Sequence, residues 1–376
     1  MAKAAFVYTD DYVAYKFSDH HPLQQRRLVM LHRLLKAYGV FERGESDLIV
    51  PTAADPADLK EVHDAAYLDA LHRLSRGEMV SHMGEYGFGE GDNPPFPGMW
   101  EASLLYSGAS LNAAELVLSG QYRYAFNPSG GLHHAARGIA SGFCLINDNA
   151  LAAVAALERG MRVAYIDIDA HHGDGTQSIF YHDPRVLTVS IHETGSTLFP
   201  GTGFASEIGE GEGAGYSINI PMAPWSTDQH YSYAFDEAIE PIVRAYDADF
   251  IILQVGADAH IGDPLTHLQV TSQGWLNMVT RVLALAGEKP LICLGGGGYD
   301  LDAVARLWTL VQATLSGVEL PNETPADYAK AFGISHLHDQ PDETQEVHPA
   351  AADRAWDYVR ASVAELKGLV GERYGL

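Results

Sequence analysis

The sequence has few cysteines and no long hydrophobic run. Cys144 and Cys293 are the only cysteines among 376 residues, which excludes a disulfide framework and indicates a reducing compartment. The amino-terminal run MAKAAFVYTDDY lacks the apolar stretch of a signal peptide, and no segment reaches the roughly 20 apolar residues of a membrane span. We therefore expect a cytoplasmic protein without a membrane partner.

Positive charge is also scarce. The chain has 24 Lys and Arg residues against 49 Asp and Glu residues, which gives a formal net charge of −25. Binding to a phosphate backbone requires clustered Lys and Arg, so we expect no nucleic-acid partner. The acidity suits a cationic partner such as a lysine-rich protein or a polyamine, although solubility alone also explains it.

Short β-branched or aromatic segments alternate with helical patterns along most of the chain. This alternation indicates βαβ units, and we predict a single α/β domain with a central, mainly parallel β-sheet flanked by helices on both faces. The predicted strands are Ala4–Tyr8, Tyr122–Phe126, Arg162–Asp169, Val186–Ile191, Phe250–Val255 and Leu291–Leu294. The predicted helices are Leu23–Tyr38, Trp100–Ser119, Leu145–Glu158, Asp228–Tyr246, Gly274–Leu285, Leu301–Ser316 and, in the tail, Ala351–Leu366. Residues 81–98 and 193–215 are predicted to be Gly-rich loops.

Two of the predicted strands end in acidic residues. Asp167, Asp169 and His171 are spaced by two, so in extended backbone their side chains share one face. Asp258 follows another apolar strand; alone it would suit a helix cap or a turn. Asp169, His171 and Asp258 together offer three ligands and an open fourth position, the pattern of a catalytic zinc site.

Two further motifs follow predicted strands. His133 and His134 lie on a glycine loop that can present two imidazoles to one pocket, although surface histidines without a role are the alternative for this pair alone. The run Gly295–Gly298 allows close backbone approach to a ligand, and Tyr299 could direct its hydroxyl at an oxyanion. A phosphate loop is the weaker reading, because the Lys-Ser/Thr of a P-loop is missing.

Six ordered motifs resemble the zinc-dependent histone deacetylase family: GLHHA, ASGFCLIND, DIDAHHGDG, LFPGTG, QVGADAHIGDP and GGGGY. The GDNPPFPGM loop is most similar to the acetoin-utilisation branch of that family. The resemblance implies an arginase-deacetylase fold with its site at the carboxyl ends of the strands. We assign residues 1–320 to a histone deacetylase-like catalytic domain and residues 321–376 to a helical extension packed on the same domain.

The resemblance implies a metal centre and sites for monovalent cations. Asp169, His171 and Asp258 would bind zinc, although nitrogen and oxygen ligands also accept ferrous iron. Two structural sites for potassium or sodium are implied as well. The inner site would use Asp167, Asp169, His171, Ser190 and Ile191, and the outer site would use Phe180, Asp183, Val186 and Tyr216.

The resemblance also assigns catalytic roles. His134 would be the general base, and His133 its electrostatic or proton-donating partner. Asp167 and Asp174 would be the carboxylates that partner the two histidines. Tyr299 would hydrogen-bond the oxyanion.

A narrow tunnel for an acyl-lysine side chain is implied too. Phe143 and Phe199 would form its aromatic walls, and Gly142 would keep one wall thin. Asp92 would contact the substrate at the rim, and Leu265 would be a further substrate-binding residue.

The implied reaction is hydrolysis of N-ε-acetyl-lysine in a protein to lysine and acetate. An acetylpolyamine amidohydrolase, with the same chemistry on a small cation, stays open. A dinuclear manganese ureohydrolase is disfavoured because the stretch from Gly256 to Pro264 lacks the leading Asp of a D-x-D-x-x-D-P run. A silent acyl-lysine-binding protein has no support, since Tyr299 and both histidines are present. The sequence does not indicate the oligomeric state.

Overall fold

A computed structural model describes residues 4–340 and 347–376. Within these residues, eight strands form one sheet in which all pairs are parallel. The strands are β1 (Ala4–Val7), β2 (Ser46–Ile49), β3 (Tyr124–Asn127), β4 (Val163–Asp167), β5 (Val186–Glu193), β6 (Ser217–Met222), β7 (Phe250–Gln254) and β8 (Leu291–Leu294). Their order in the sheet is β2-β1-β3-β8-β7-β4-β5-β6. The predicted α/β class with a parallel sheet is confirmed.

Helices cover the sheet on both faces, as the apolar strands require. Strands β4, β7 and β8 are buried along their whole length. The helices are α1 (Arg26–Ala37), α2 (Ala65–Ser75), α3 (Met99–Leu118), α4 (Asp148–Leu157), α5 (Asp174–Phe180), α6 (Asp228–Ala234), α7 (Glu240–Tyr246), α8 (Ser272–Ala286), α9 (Leu301–Ser316), α10 (Ala326–Phe332) and α11 (Pro349–Tyr374).

Several elements were missed, and some predicted boundaries were wrong. The strands β2 and β6 were not predicted, because both are edge strands and β6 contains Pro221, which is disfavoured inside a sheet but tolerated at its edge. Helix α4 begins at Asp148 rather than at Leu145, because Asn147 caps it with its side chain. The predicted helix at 228–246 is divided by a π-helical turn, Phe235–Ile239. The short helices α2, α5 and α10 were also missed.

The last helix, α11, packs against the edge strand β6. Its buried face includes Val359, Val363 and Leu366. Tyr358 and Tyr374 add polar contacts, because their hydroxyls lie 2.7 Å from Thr194 Oγ1 and from the carbonyl oxygen of Gly215. The tail thus lies on the same sheet as the rest of the chain, and the boundary at residue 320 stays a prediction. Across the described ranges, no helix is both long and apolar enough to cross a membrane.

The strand order places four loops side by side. Strands β3, β8, β7 and β4 are consecutive neighbours in the sheet. Because the strands are parallel, the segments that follow them leave from the same edge. The histidine pair, the glycine run, Asp258 and Asp169 all lie in those segments. The topology therefore assembles one site from positions more than 160 residues apart.

Candidate active site

Three buried side chains meet where β4 and β7 end. Nδ1 of His171 lies 3.2 Å from Oδ1 of Asp169 and 2.9 Å from Oδ2 of Asp258. One donor atom from each residue falls within 4.8 Å of the others. These are the three residues predicted as metal ligands, and the structure brings all of them together.

The donor set fits a divalent cation. Burial alone would lower the pKa of His171, but the carboxylates of Asp169 and Asp258 outweigh it and raise the pKa well above its usual range. Burial, together with the negative charge of Asp169, raises the pKa of Asp258 to about 6. Two buried carboxylates against one imidazolium leave excess negative charge, which is costly unless a cation neutralises it. Two oxygens and one nitrogen suit zinc or ferrous iron.

Two glycines leave the space that these carboxylates occupy. A Cβ on Gly256 would lie 2.1 Å from Oδ2 of Asp169, and one on Gly297 would lie 1.9 Å from Oδ2 of Asp258. The backbone N–H of Gly297 also donates to Oδ2 of Asp169, at 2.7 Å. The glycine run therefore packs its backbone directly against Asp169 and Asp258, whereas the close approach to a ligand that the sequence indicated stays a prediction.

Each histidine of the pair is held by its own carboxylate. Nδ1 of His133 lies 2.8 Å from Oδ2 of Asp167, and Nδ1 of His134 lies 2.7 Å from Oδ1 of Asp174. Because ionised carboxylates only accept, each Nδ1 carries a hydrogen and donates it. The two Nε2 atoms face each other at 3.0 Å. The predicted pairing of the two histidines with the two aspartates is present.

The two imidazoles differ in charge. Burial lowers the pKa of His133, but the charges of Asp167 and Asp169 outweigh it and raise the pKa to about 9. Burial and the positive charge of His133 lower the pKa of His134 to about 4, despite the charge of Asp174. The surrounding charges therefore favour a proton on His133 more than on His134. A neutral imidazole beside a charged one suits a base and a proton donor.

Aromatic rings surround the approach to these groups. The ring centroids of Phe199 and His134 lie 5.0 Å apart, and those of Phe143 and Tyr299 lie 5.9 Å apart. A Cβ on Gly142 would come within 2.4 Å of the His134 ring and 2.8 Å of the Phe199 ring. The cavity at the base has a volume of about 20 Å³, enough for about one water molecule. The imidazoles and Tyr299 thus line a small cavity, and we call this cavity with the Phe143 and Phe199 rings beside it the passage.

The two predicted rim residues lie near this passage. The exposed Asp92 accepts a hydrogen bond through its carbonyl oxygen from Nε2 of His21, whose ring lies 4.4 Å from that of Phe143. Phe143 has a left-handed φ of 67° and is held by the Tyr15 hydroxyl, 2.7 Å from its carbonyl oxygen. Leu265 is partly exposed. Contact of Asp92 and Leu265 with a substrate stays a prediction.

Two side chains that the sequence did not single out also belong to the site. The Tyr165 hydroxyl donates to Oδ2 of Asp167 at 2.6 Å; it lies two residues earlier on the same face of β4, a signal that the sequence contained. Asp263 accepts from the backbone N–H of Tyr299 at 2.7 Å and from that of Leu265 at 2.9 Å. Asp263 therefore connects the rim with the segment that carries the tyrosine.

The implied potassium sites stay predictions. Asp167 and Ser190 are paired neighbours on β4 and β5, so the sheet brings these two members of the inner set together. Within the outer set, the carboxylate of Asp183 lies 2.6 Å from Arg185.

Comparison with known proteins assigns a family to this arrangement. Residues 21–315 match the histone deacetylase domain. The acetoin utilization protein AcuC of Bacillus subtilis (strain 168) is 41% identical over 339 residues, which cover 87% of this chain and 86% of that protein. Histone deacetylase 9 of Arabidopsis thaliana is 38% identical over 334 residues, which cover 88% of this chain and 77% of that protein.

Solved structures give the same result. The crystal structure of an HDAC homolog from Aquifex aeolicus matches with a TM-score of 0.85 at 30% identity, covering 95% of this chain and all (100%) of that one. An HDAC homolog complexed with SAHA matches with a TM-score of 0.86 at 31% identity, covering 96% and 100%. The predicted arginase-deacetylase fold is confirmed.

Proposed function

Because the chain belongs to the histone deacetylase family and is thus a deacetylase hydrolase, we propose that it is a zinc enzyme that hydrolyses N-ε-acetyl-lysine in proteins to lysine and acetate. One observation carries the proposal: three metal donors, a histidine pair with two carboxylates, and a tyrosine converge at the base of one aromatic passage. A long, thin substrate arm such as acyl-lysine is the shape that reaches such a base. The name of the Arabidopsis relative, histone deacetylase 9, and the SAHA-bound HDAC homolog are consistent with it.

Asp169, His171 and Asp258 would hold the zinc ion. Zinc bound there would supply Lewis-acid chemistry that polarises the acetyl carbonyl and lowers the pKa of a water molecule. The chain presents the three donors from the ends of two adjacent strands, β4 and β7, so little rearrangement is needed to bind the ion.

The histidine pair would move the protons. Nε2 of His134 would accept a proton from the attacking water while Asp174 holds the other ring nitrogen. His133, protonated and held by Asp167, would donate a proton to the leaving lysine amine.

Tyr299 and the passage walls would complete the site. The Tyr299 hydroxyl would donate to the oxyanion of the tetrahedral intermediate. The Phe143 and Phe199 rings would pack on the methylene groups of the substrate and keep bulk water out.

The experiment is acetate release from an acetyl-lysine peptide by the zinc-loaded protein, with acetylspermidine as competitor. We expect turnover of the peptide, inhibition by a hydroxamate, and one zinc per chain. Asp258→Asn should lose zinc and activity together, whereas His134→Ala should keep zinc and lose about 10²- to 10⁴-fold in kcat. Preferred turnover of acetylspermidine would assign the protein to the polyamine alternative. Two metals per chain or no acetate release would refute the proposal.

A further inference from the structure

Two consecutive residues at the start of α4, Asn147 and Asp148, contact the backbone of the histidine loop. Asn147 is the N-cap of α4 and Asp148 is its first residue, and neither side chain is exposed. They belong to the sequence motif ASGFCLIND, whose last two residues have no role in the reaction described above. Such buried polar groups are costly unless they are hydrogen-bonded, so their partners explain why they are there.

Asp148 holds the first half of the loop through its N–H groups. Its Oδ2 accepts from the backbone N–H of Gly131 at 2.9 Å, and its Oδ1 accepts from that of Leu132 at 2.8 Å. The Ser110 hydroxyl also donates to Oδ2, at 2.6 Å. A Cβ on Gly130 would lie 2.4 Å from the same oxygen, so the contact depends on that glycine.

Asn147 holds the second half of the loop through its carbonyl groups. Its Nδ2 donates to the carbonyl oxygen of His133 at 3.1 Å and to that of Ala135 at 2.9 Å. Its Oδ1 accepts from the backbone N–H of Ala150 at 2.9 Å, which caps the helix. Only an amide both donates and accepts in this way, so an aspartate could cap the helix but not hold the loop.

The backbone of Asn147 is in turn held by His63. The backbone N–H of Asn147 donates to Nε2 of His63 at 2.9 Å. Nδ1 of His63 lies 3.2 Å from the carbonyl oxygen of Arg137, two residues beyond Ala135. The helix start is therefore itself fixed relative to the segment that it holds.

We propose that Asn147 and Asp148 are positioning residues that set the imidazoles of His133 and His134 for proton transfer. The proposal rests on the deacetylase function proposed above and identifies which residues make it efficient. The N–H groups of the first half of the loop and the carbonyl groups of its second half are all hydrogen-bonded to side chains at the start of α4. The two rings therefore have little freedom relative to the metal donors. A displacement of about 1 Å in such a site costs about 10²-fold in rate.

The test compares two buried asparagines on the same helix. Asn149 is as buried as Asn147, but neither polar atom of its side chain has a hydrogen-bond partner among the residues that the structure describes. In the zinc-loaded protein, Asn147→Ala and Asn147→Asp should lower kcat about 10²-fold with KM changed less than about threefold. Asn149→Ala, the same truncation at the same depth, should keep kcat near the wild-type value. Zinc content and thermal unfolding are measured for all variants.

A second readout does not depend on activity. Histidine-selective ¹⁵N NMR reports the protonation of each imidazole, and we expect the Asn147 variants to shift the ring signals of His133 and His134 while Asn149→Ala leaves them unchanged. Wild-type kcat with unshifted ring signals in the Asn147 variants would overturn the proposal, and so would an equal loss of kcat in Asn149→Ala. If the wild type released no acetate, the proposed function would fail, and the NMR comparison would still decide whether the loop is held.

Discussion

Glu193 accepts hydrogen bonds from both the backbone and the side chain of His267. The backbone N–H of His267 lies 2.8 Å from Oε2, and its Nδ1 lies 2.9 Å from Oε1. The Thr197 hydroxyl donates to Oε1 as well, at 2.8 Å. Thr197 lies two residues before Phe199, and His267 lies two residues after Leu265. One buried carboxylate thus connects the two loops at the entrance of the passage.

Replacing Glu193 by Ala should therefore weaken substrate binding more than chemistry. Without the carboxylate the two loops lose their connection, and we expect KM for an acetyl-lysine peptide to rise about tenfold, or about 1.4 kcal/mol, with kcat within about threefold of wild type. Steady-state kinetics of Glu193→Ala and Glu193→Gln provide the measurement. The glutamine keeps an acceptor and should recover most of the affinity. A fall in kcat at constant KM would show that Glu193 acts elsewhere.

Tyr299→Phe should separate oxyanion stabilisation from metal binding. Asp263 accepts from the backbone N–H of residue 299, which the substitution keeps, so the phenyl ring should occupy the same place. Loss of one hydroxyl donor to the oxyanion should lower kcat about 10²- to 10³-fold with zinc retained. Metal analysis alongside the kinetics checks both parts. Loss of zinc would mean that the hydroxyl supports the metal centre rather than the oxyanion.

His63 should make the fold less stable in acid. Burial lowers the pKa of His63 from its ordinary 6.5 to about 4, so the unfolded chain binds the proton more tightly than the folded one. The stability that the neutral ring contributes is complete above pH 6.5 and is lost as the pH falls towards 4. The full loss is on the order of 3 kcal/mol.

Urea unfolding at several pH values between 7 and 4 measures this effect. We expect His63→Gln to be less stable than wild type at pH 7 but to lose less stability on acidification. His20→Gln, at an exposed position, is the control and should follow the wild-type pH dependence. Parallel pH dependences for all three proteins would contradict the assignment of the effect to His63.

The tail helix offers a matched pair of leucines. Leu366 is fully buried against the rest of the chain, whereas Leu369, one turn further along α11, is 48% exposed. Leu366→Ala should lower the free energy of unfolding by about 2–4 kcal/mol in one cooperative transition, and Leu369→Ala should change it by less than about 0.5 kcal/mol. A separate early transition for residues after 320 would instead show that the extension unfolds on its own.

The sequence predicted the centre of the sheet better than its edges. Strands β4, β7 and β8 are buried throughout and mostly apolar because helices cover both faces, and such runs are recognisable without a structure. The edge strands β2 and β6 are short or contain proline, so their pattern does not differ from that of loops. Only the strand order of the complete sheet identifies them.

In the site, too, some residues could be predicted from the sequence and others could not. The proposed metal ligands could be predicted because parallel strands end together at one edge of the sheet, although β4 ends at Asp167 and the predicted strand to Asp169 was two residues too long. The roles of Asn147 and Asp148 could not, because their partners are backbone groups of a loop more than ten residues away. No spacing rule connects a side chain with a distant peptide group. Gln254, whose Nε2 lies 2.9 Å from Nδ1 of His133, was also missed, because the two side chains are 121 residues apart in the sequence.

The close approach of Gly256 and Gly297 to the metal-binding carboxylates limits how this enzyme can be redesigned. Any side chain at either position would push Asp169 or Asp258 aside, so the glycines cannot be exchanged to reshape the acyl pocket. For the proposed deacetylase, a shorter side chain at Leu132, which lines the same cavity, would make room for a bulkier acyl group without displacing Asp169 or Asp258.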